Sequence, residues 1–138
     1  MSDWPSSVLA AVPKVLAMVL CEHVHTNPGS RTHTILNTFS TIIVRTFPMK
    51  IPQMAVYAAL TDGRGKTPIT LTVADIEGNI LDQFTCTTYL DFDDPILDKE
   101  VYFEFSGLVL HAPGDLRLQL SCNAEFLMER RLYVRSAS

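Results

Sequence analysis

Asp115–Cys122, which reads DLRLQLSC, decides the fold of this chain because every second side chain in it is apolar. Side chains of a β-strand alternate between its two faces, so the three leucines and Cys122 would share one face and the polar residues the other. Such a strand has one face on a core and one in water. The stretch therefore predicts a β-sheet whose inner side is apolar.

Length and composition are those of one folded domain. With 138 residues, of which 47% are apolar and 19% charged, the chain has enough apolar surface to fold without disulfides. We interpret residues 1–138 as a single β-sandwich domain in which residues 1–13 form an N-terminal arm. The formal net charge is -4, and Arg130-Arg131 is the only adjacent pair among the 11 basic residues, so nucleic-acid binding through phosphate contacts is not expected.

The cysteine count and the N-terminal residues bear on the compartment. Cys21, Cys86 and Cys122 form an odd set, and we interpret them as small buried residues in a reducing cytoplasm. The apolar segment before Cys21 differs from an export signal, because no Lys or Arg precedes it and Pro13-Lys14 interrupts it. No stretch approaches the roughly 18 to 20 uninterrupted apolar residues that cross a bilayer. The sequence predicts a soluble, cytoplasmic protein without a membrane partner.

Turn residues divide the chain into about eight strand-like runs, a spacing typical of an all-β sandwich. The runs are Lys14 to Thr26, Thr32 to Thr46, Gln53 to Thr61, Pro68 to Ala74, Ile80 to Leu90, Glu100 to Leu110, Asp115 to Cys122 and Glu125 to Val134. Short connections favour antiparallel neighbours. At most one short helical turn is expected, near Asp94–Asp98, where Asp94 would be the N-cap and Pro95 the first helical residue. We predict a single sandwich of two antiparallel sheets.

The order of several short motifs resembles that of a family of small uncharacterised bacterial proteins. The motifs are Leu20-Cys21-Glu22, Ile35 to Phe39, Phe47-Pro48, Tyr57 to Leu60, Asp75 to Gly78 and Pro113 to Leu118. The resemblance covers nearly the whole chain and implies an immunoglobulin-like β-sandwich of unknown activity. It carries over no catalytic residues, and His23 and His25 are not part of its pattern.

Cys21, His23 and His25 are two residues apart, which would place them on one face of the first strand. Alternate histidines on a strand can present imidazoles to zinc, and His33, just beyond the turn, would add a fourth ligand. The alternative is a strand that leaves the core and ends in solvated or hydrogen-bonded histidines. We expect no cofactor and keep zinc as the alternative.

Other candidate sites have weaker patterns. The acidic residues from Asp91 to Glu100 lack the glycine and the spacing of a calcium loop, and a solvated loop is the alternative. Gly65-Lys66-Thr67 resembles the end of a phosphate-binding loop, but Leu60 occupies the place of its first glycine. No Gly-x-Ser-x-Gly turn occurs. We therefore expect no enzyme.

Apolar residues near predicted strand ends offer the best functional prospect, because aromatic residues and Met are enriched at binding surfaces. They are Trp4, Met49, Met54, Phe92, Phe126, Leu127 and Met128. The alternative is that they cap the core. We predict a non-enzymatic interaction or assembly module whose partner is a protein or a second copy, bound through a sheet edge or through Phe126, Leu127 and Met128. The competing prediction is a metal-binding or ligand-binding protein built on Cys21 and the three histidines.

Overall fold

The computed structural model of the chain describes residues 12–94 and 97–137, which form eleven β-strands and one 3₁₀ turn, Asp82–Phe84. The strands are β1 (Lys14–Thr26), β2 (His33–Thr38), β3 (Thr41–Val44), β4 (Met49–Ile51), β5 (Met54–Thr61), β6 (Gly65–Ala74), β7 (Cys86–Phe92), β8 (Lys99–Phe105), β9 (Leu108–Leu110), β10 (Gly114–Cys122) and β11 (Glu125–Ser136). The prediction of an all-β chain is confirmed.

The strand count differs from the expected eight because backbone conformation divides two of the predicted runs. The second run divides into β2 and β3 next to Asn37, which has a left-handed backbone (φ 54°). The sixth run divides into β8 and β9 at Gly107 (φ 81°), and β4 forms between the second and third predicted runs, where no strand was expected. Glycine adopts such a positive φ at no steric cost, which lets the chain leave one sheet and join another.

The strands pair in three sheets. One has the order β2-β1-β5-β8, the second has the order β3-β11-β10-β6-β7, and the third contains β4 and β9. All pairs are antiparallel except β3 and β11, which are parallel with Thr41 opposite Tyr133. The expectation of antiparallel pairing throughout is therefore wrong at β3, because the chain changes sheets between β2 and β3 instead of forming a hairpin.

The two large sheets share one apolar core. On β10, Leu116, Leu118, Leu120 and Cys122 are all buried, which confirms the alternation in the sequence. They lie in one cluster with Met18 and Leu20 of β1 and with side chains of β5, β6, β8 and β11. Complete burial of each leucine stabilises the fold by about 1.5–3 kcal/mol.

A second, smaller cluster lies on the outer face of the four-stranded sheet. Cys21, Val24, Ala55 and Tyr57 are buried there, with Ile35 packed against them. The sheet order separates β2 from β8 by two strands, yet His33 on β2 contacts a residue of β8. The β1–β2 hairpin therefore bends over this face and covers it.

Two predicted segments fall partly or wholly on residues that the structure leaves out. Residues 1–11 of the N-terminal arm lie outside the described residues. So do residues 95–96 of the expected helical turn, although the Leu97 N–H donates to the Asp94 carbonyl at 3.0 Å. Within residues 12–94 and 97–137, no helix has the length and apolarity needed to cross a membrane.

Candidate functional site

One side of the protein carries the outer strands of both large sheets. β2 is one of the two outer strands of the first sheet, and β3 is one of the two outer strands of the second. The chain joins β2 to β3 through Phe39 and Ser40. The Phe39 N–H donates to the Leu20 carbonyl at 3.0 Å, while the Ser40 carbonyl accepts from the Tyr133 N–H at 2.8 Å. These two bonds attach consecutive residues to different sheets. We call the side formed by residues 33–44 the β2–β3 edge.

The β2–β3 edge carries no Lys, Arg, Asp or Glu and includes exposed apolar side chains. Within the described part of the chain, no strand pairs with the outer side of β2 or of β3. β2 contains no Lys, Arg, Asp, Glu or Pro, and those are the residues that usually protect an edge strand from pairing with another chain. Leu36 on β2 is 44% exposed and Ile43 on β3 is 60% exposed. The edge can therefore accept an additional strand.

A cleft of about 640 Å³ opens beside the β2–β3 edge. Its apolar lining consists of Phe39, Ile42, Met49, Ile51 and Pro52, and its polar lining includes Glu22, Asn37, Thr38, Thr41 and Gln53. The volume lies within the range of about 300–1,000 Å³ that is usual for ligand pockets. The cleft can accommodate side chains of a segment that binds along the edge.

A polar cluster fixes the β1–β2 hairpin to the outer face of the first sheet. Tyr57 on β5 donates a hydrogen bond to the Glu100 carboxylate on β8, and the other oxygen of that carboxylate lies 3.1 Å from Nδ1 of His33. Thr26 donates to the Tyr102 hydroxyl at 3.3 Å. Burial, followed by the hydrogen bond to Glu100 and the charge of that carboxylate, raises the pKa of Tyr57 to about 12.

A second imidazole–carboxylate contact lies closer to the cleft. Nδ1 of His23 is 2.8 Å from Oε2 of Glu104 and 3.0 Å from Nε2 of Gln53. Gln53 also lines the cleft, so this contact forms part of the support for the cleft wall. Two histidines of the β1–β2 hairpin thus contact two glutamates of β8.

The four residues proposed as zinc ligands lie in different surroundings. Cys21 is completely buried with its thiol directed at the Ala55 carbonyl, and burial raises its pKa, which disfavours the thiolate that binds zinc. His25 is exposed, while His23 and His33 contact different glutamates. Across residues 12–94 and 97–137, no three His, Cys, Asp or Glu side chains form a group that could hold a metal. The zinc set stays a prediction, and the structure does not bring its members together.

Two of the acidic residues in the segment from Asp91 to Glu100 contact each other. Asp91 and Asp93 share a side-chain hydrogen bond, which raises the pKa of Asp91. This contact stabilises a protonated carboxyl, whereas calcium binds ionised ones. Calcium binding by this loop stays a prediction.

Phe126, Leu127 and Met128 do not form one exposed patch. Phe126 is 59% exposed near the β10–β11 turn, while Leu127 and Met128 are partly buried against the core. In the wider apolar set, Met54 and Phe92 are core residues, which agrees with the alternative that these side chains cap the core, and Met49 lines the cleft. Trp4 lies outside the described residues.

Sequence reasoning missed Tyr57, Glu100, Glu104 and Gln53. Sequence separations of 43 and 67 residues link Glu100 to its two partners, so no local spacing indicated those contacts. The alternation of Glu100, Tyr102 and Glu104 along β8 was a usable signal, because it places three polar side chains on one strand face.

Comparisons with known proteins identify a family and a distant structural likeness. The model of a family described as "Family of unknown function (DUF6941)" matches residues 16–135. No curated protein matches the sequence. An immunoglobulin-like protein from Pseudomonas aeruginosa is 14% identical, with a TM-score of 0.48 over 91% of this chain and 98% of that one. This likeness is too distant to carry an argument.

Proposed function

Because the chain belongs to the family of unknown function DUF6941, we propose its function from the site alone: it is a non-enzymatic β-protein that acts as an interaction or assembly module, and its binding site is the β2–β3 edge. The observation that carries this proposal is the open, uncharged β2 strand with Leu36 exposed on it. Exposed apolar side chains next to unpaired backbone are typical of sites that recruit another strand.

We expect the partner to bind as an additional β-strand beside β2. An extended segment pairs with the outer backbone groups of β2, and those hydrogen bonds supply affinity that is independent of side-chain identity. Alternate side chains of the segment then point to one face, where the cleft with its Phe39, Ile42 and Met49 lining can accept an apolar side chain. Glu22 and Gln53 lie in the same cleft and would favour a segment that has polar side chains next to the apolar one.

The anchored hairpin makes this edge a rigid binding surface. His33 and His23 hold the β1–β2 hairpin against Glu100 and Glu104, so β2 is fixed before a partner arrives. A fixed strand loses less conformational freedom on binding than a mobile one, which raises affinity. The polar cluster therefore supports the edge and needs no catalytic role.

Finer features of the architecture and the location are part of the same proposal. We propose that the two large sheets form a single immunoglobulin-like sandwich, which the shared core supports. We place the protein in the cytoplasm, because Cys21, Cys86 and Cys122 are all free thiols. The alternative of a Cys/His metal or ligand site receives no support from the separated positions of its four residues.

Photo-crosslinking in the native host tests the proposal. A photo-crosslinking amino acid at position 34, which is exposed on β2, is compared with one at position 87, which is exposed on β7. We expect protein adducts from position 34 and few from position 87. Equal adduct yields at both positions, or none at position 34, would exclude the β2–β3 edge as the binding site.

A further inference from the structure

We propose that the occupant of the β2 edge is a second copy of this chain. Two β2 strands pair antiparallel about a two-fold axis and join two four-stranded sheets into one continuous sheet of eight strands. This inference rests on the proposed function, since it names the partner of the same edge. A closed two-fold contact of this kind uses one surface patch twice.

The other edges of the described sheets are less suited to self-pairing. β8 carries Lys99, Glu100 and Glu104, and β7 ends in Asp91-Phe92 beside Asp93. β3 has four residues, while β2 has six. Like charges placed opposite each other across a new strand pair would oppose association at β8. β2 is therefore the longest edge strand of the two large sheets that has no charge to repel its own copy.

The two faces of β2 restrict how the copies can pair. Ile35 and His33 lie with the outer-face cluster of the sheet, because Ile35 packs against that cluster and His33 lies beside Tyr102. Thr34 and Leu36 alternate with them and lie on the opposite face. A two-fold axis perpendicular to the sheet keeps each face on its own side. Directly opposite residues must therefore belong to the same face, so the residue at the axis faces its own copy and not the next residue along the strand.

The backbone at Asn37 selects the residue on the axis. Asn37 has a φ of 54°, so regular strand geometry ends at Leu36. An axis at Ile35 pairs Ile35 with its own copy and Thr34 with Leu36, so Asn37 lies only at the end of the new ladder, opposite His33. An axis at Leu36 would place Asn37 opposite Ile35, next to the centre of the new ladder.

The length of β2 sets the strength of the dimer. The five residues from His33 to Asn37, at about 3.4 Å each, give a contact about 17 Å long. A contact of this length buries less than the roughly 800 Å² per partner that is usual for stable complexes. We therefore expect a weak, reversible dimer that forms at high protein concentration and dissociates on dilution.

Light scattering on three proteins tests the inference. The native chain should shift from the 15.4 kDa monomer to twice that mass between about 5 and about 500 µM. Leu36→Lys places a charge in both Thr34–Leu36 pairs beside the axis and should raise the dimer dissociation constant at least tenfold. Phe126→Lys makes the same kind of change at an exposed residue outside the contact and should leave the mass curve unchanged. Circular dichroism melting confirms that each variant is folded.

A second measurement examines the register. Ile35→Cys in a Cys86→Ser background should give a disulfide-linked dimer under mild oxidation, because residues directly opposite in a ladder have the Cα spacing that a disulfide needs. Leu36→Cys in the same background should link much less, since its opposite residue is Thr34.

The outcomes distinguish the failure of the second-copy inference from the failure of the β2–β3 edge as the binding site. A native chain that is monomeric throughout, or a dimer that persists in Leu36→Lys, overturns the second-copy inference. If that monomer still gives adducts with another protein from position 34, the β2–β3 edge remains the binding site and only the identity of the partner is wrong. A monomer without adducts from position 34 overturns both.

Discussion

Tyr57 donates a hydrogen bond to the Glu100 carboxylate across the neighbouring strands β5 and β8, on the face of the sheet away from the main core. The same carboxylate contacts His33 of the bent hairpin. Glu100 thus links the covering hairpin to the sheet beneath it. The position of the open β2 strand depends on this link, because His33 is the first residue of β2.

The first prediction concerns the ionisation of Tyr57. Its folded-state pKa of about 12 lies above the ordinary value of 10.0, so the protonated phenol stabilises the fold below pH 10, and this contribution is lost as the pH rises through about 12. Ultraviolet titration should therefore show a tyrosinate step near pH 12 that is absent from Tyr57→Phe. The same step in Tyr57→Phe would show that another tyrosine produces it.

The second prediction compares the two glutamates of β8. Glu100→Ala removes the carboxylate that accepts the hydrogen bond of the nearly buried Tyr57 hydroxyl and that contacts His33. It should therefore lower the free energy of unfolding by about 1–3 kcal/mol. Glu104→Ala is the matched control, because Glu104 and His23 form a more exposed pair worth up to about 1 kcal/mol. Urea denaturation measures both. Losses of equal size would contradict the supporting role given to Glu100.

The third prediction concerns the three thiols. Cys86 is exposed, whereas Cys21 and Cys122 are buried, so the expectation of three buried cysteines is wrong for Cys86. Desolvation raises the pKa of all three thiols, so accessibility decides which one reacts first. A thiol reagent added to the native protein should label Cys86 first, as read by peptide mass spectrometry. Cys86→Ser should then remain unlabelled until denaturant is added. Rapid native labelling of Cys21 would show that the hairpin does not cover the outer face.

The fourth prediction concerns the close contact of Gly63 with Phe92. A Cβ atom at Gly63 would collide with the ring of Phe92, and Phe92 is a core residue. Gly63→Ala should therefore destabilise the fold by about 1–3 kcal/mol, because the ring must shift within a packed core. Gly29→Ala is the control, since no atom of the described residues lies within 4 Å of its added Cβ. Thermal melting should show a large shift for Gly63→Ala alone.

The fold class could be predicted from the sequence because alternation is a local property. The buried leucines of β10 repeat every second residue, and the strand period follows from backbone geometry alone. The division of the second run into β2 and β3 was not predictable in this way. It depends on the attachment of Phe39 to β1 and of Ser40 to β11, and these contacts link parts of the chain that are distant in sequence.

The candidate site was only partly predictable. An uncovered sheet edge was expected in general terms, but its location depends on sheet order, which no local pattern specifies. Met54 and Phe92 lie at predicted strand ends, where the sequence allowed either a binding surface or a core position, and both side chains lie in the core. His23 and His33 have the spacing of possible ligands, but each contacts a glutamate of β8 that is more than 60 positions away in the sequence.

Hydrogen exchange of the β2 amides, measured at low and at high protein concentration, tests the central claim most directly. We expect the amides of residues 33–38 to exchange more slowly at about 500 µM than at about 5 µM, while those of β7 keep one rate, because only β2 gains partners for its outer backbone groups. Equal exchange of β2 at both concentrations, with slowing instead around Phe126, would contradict the account.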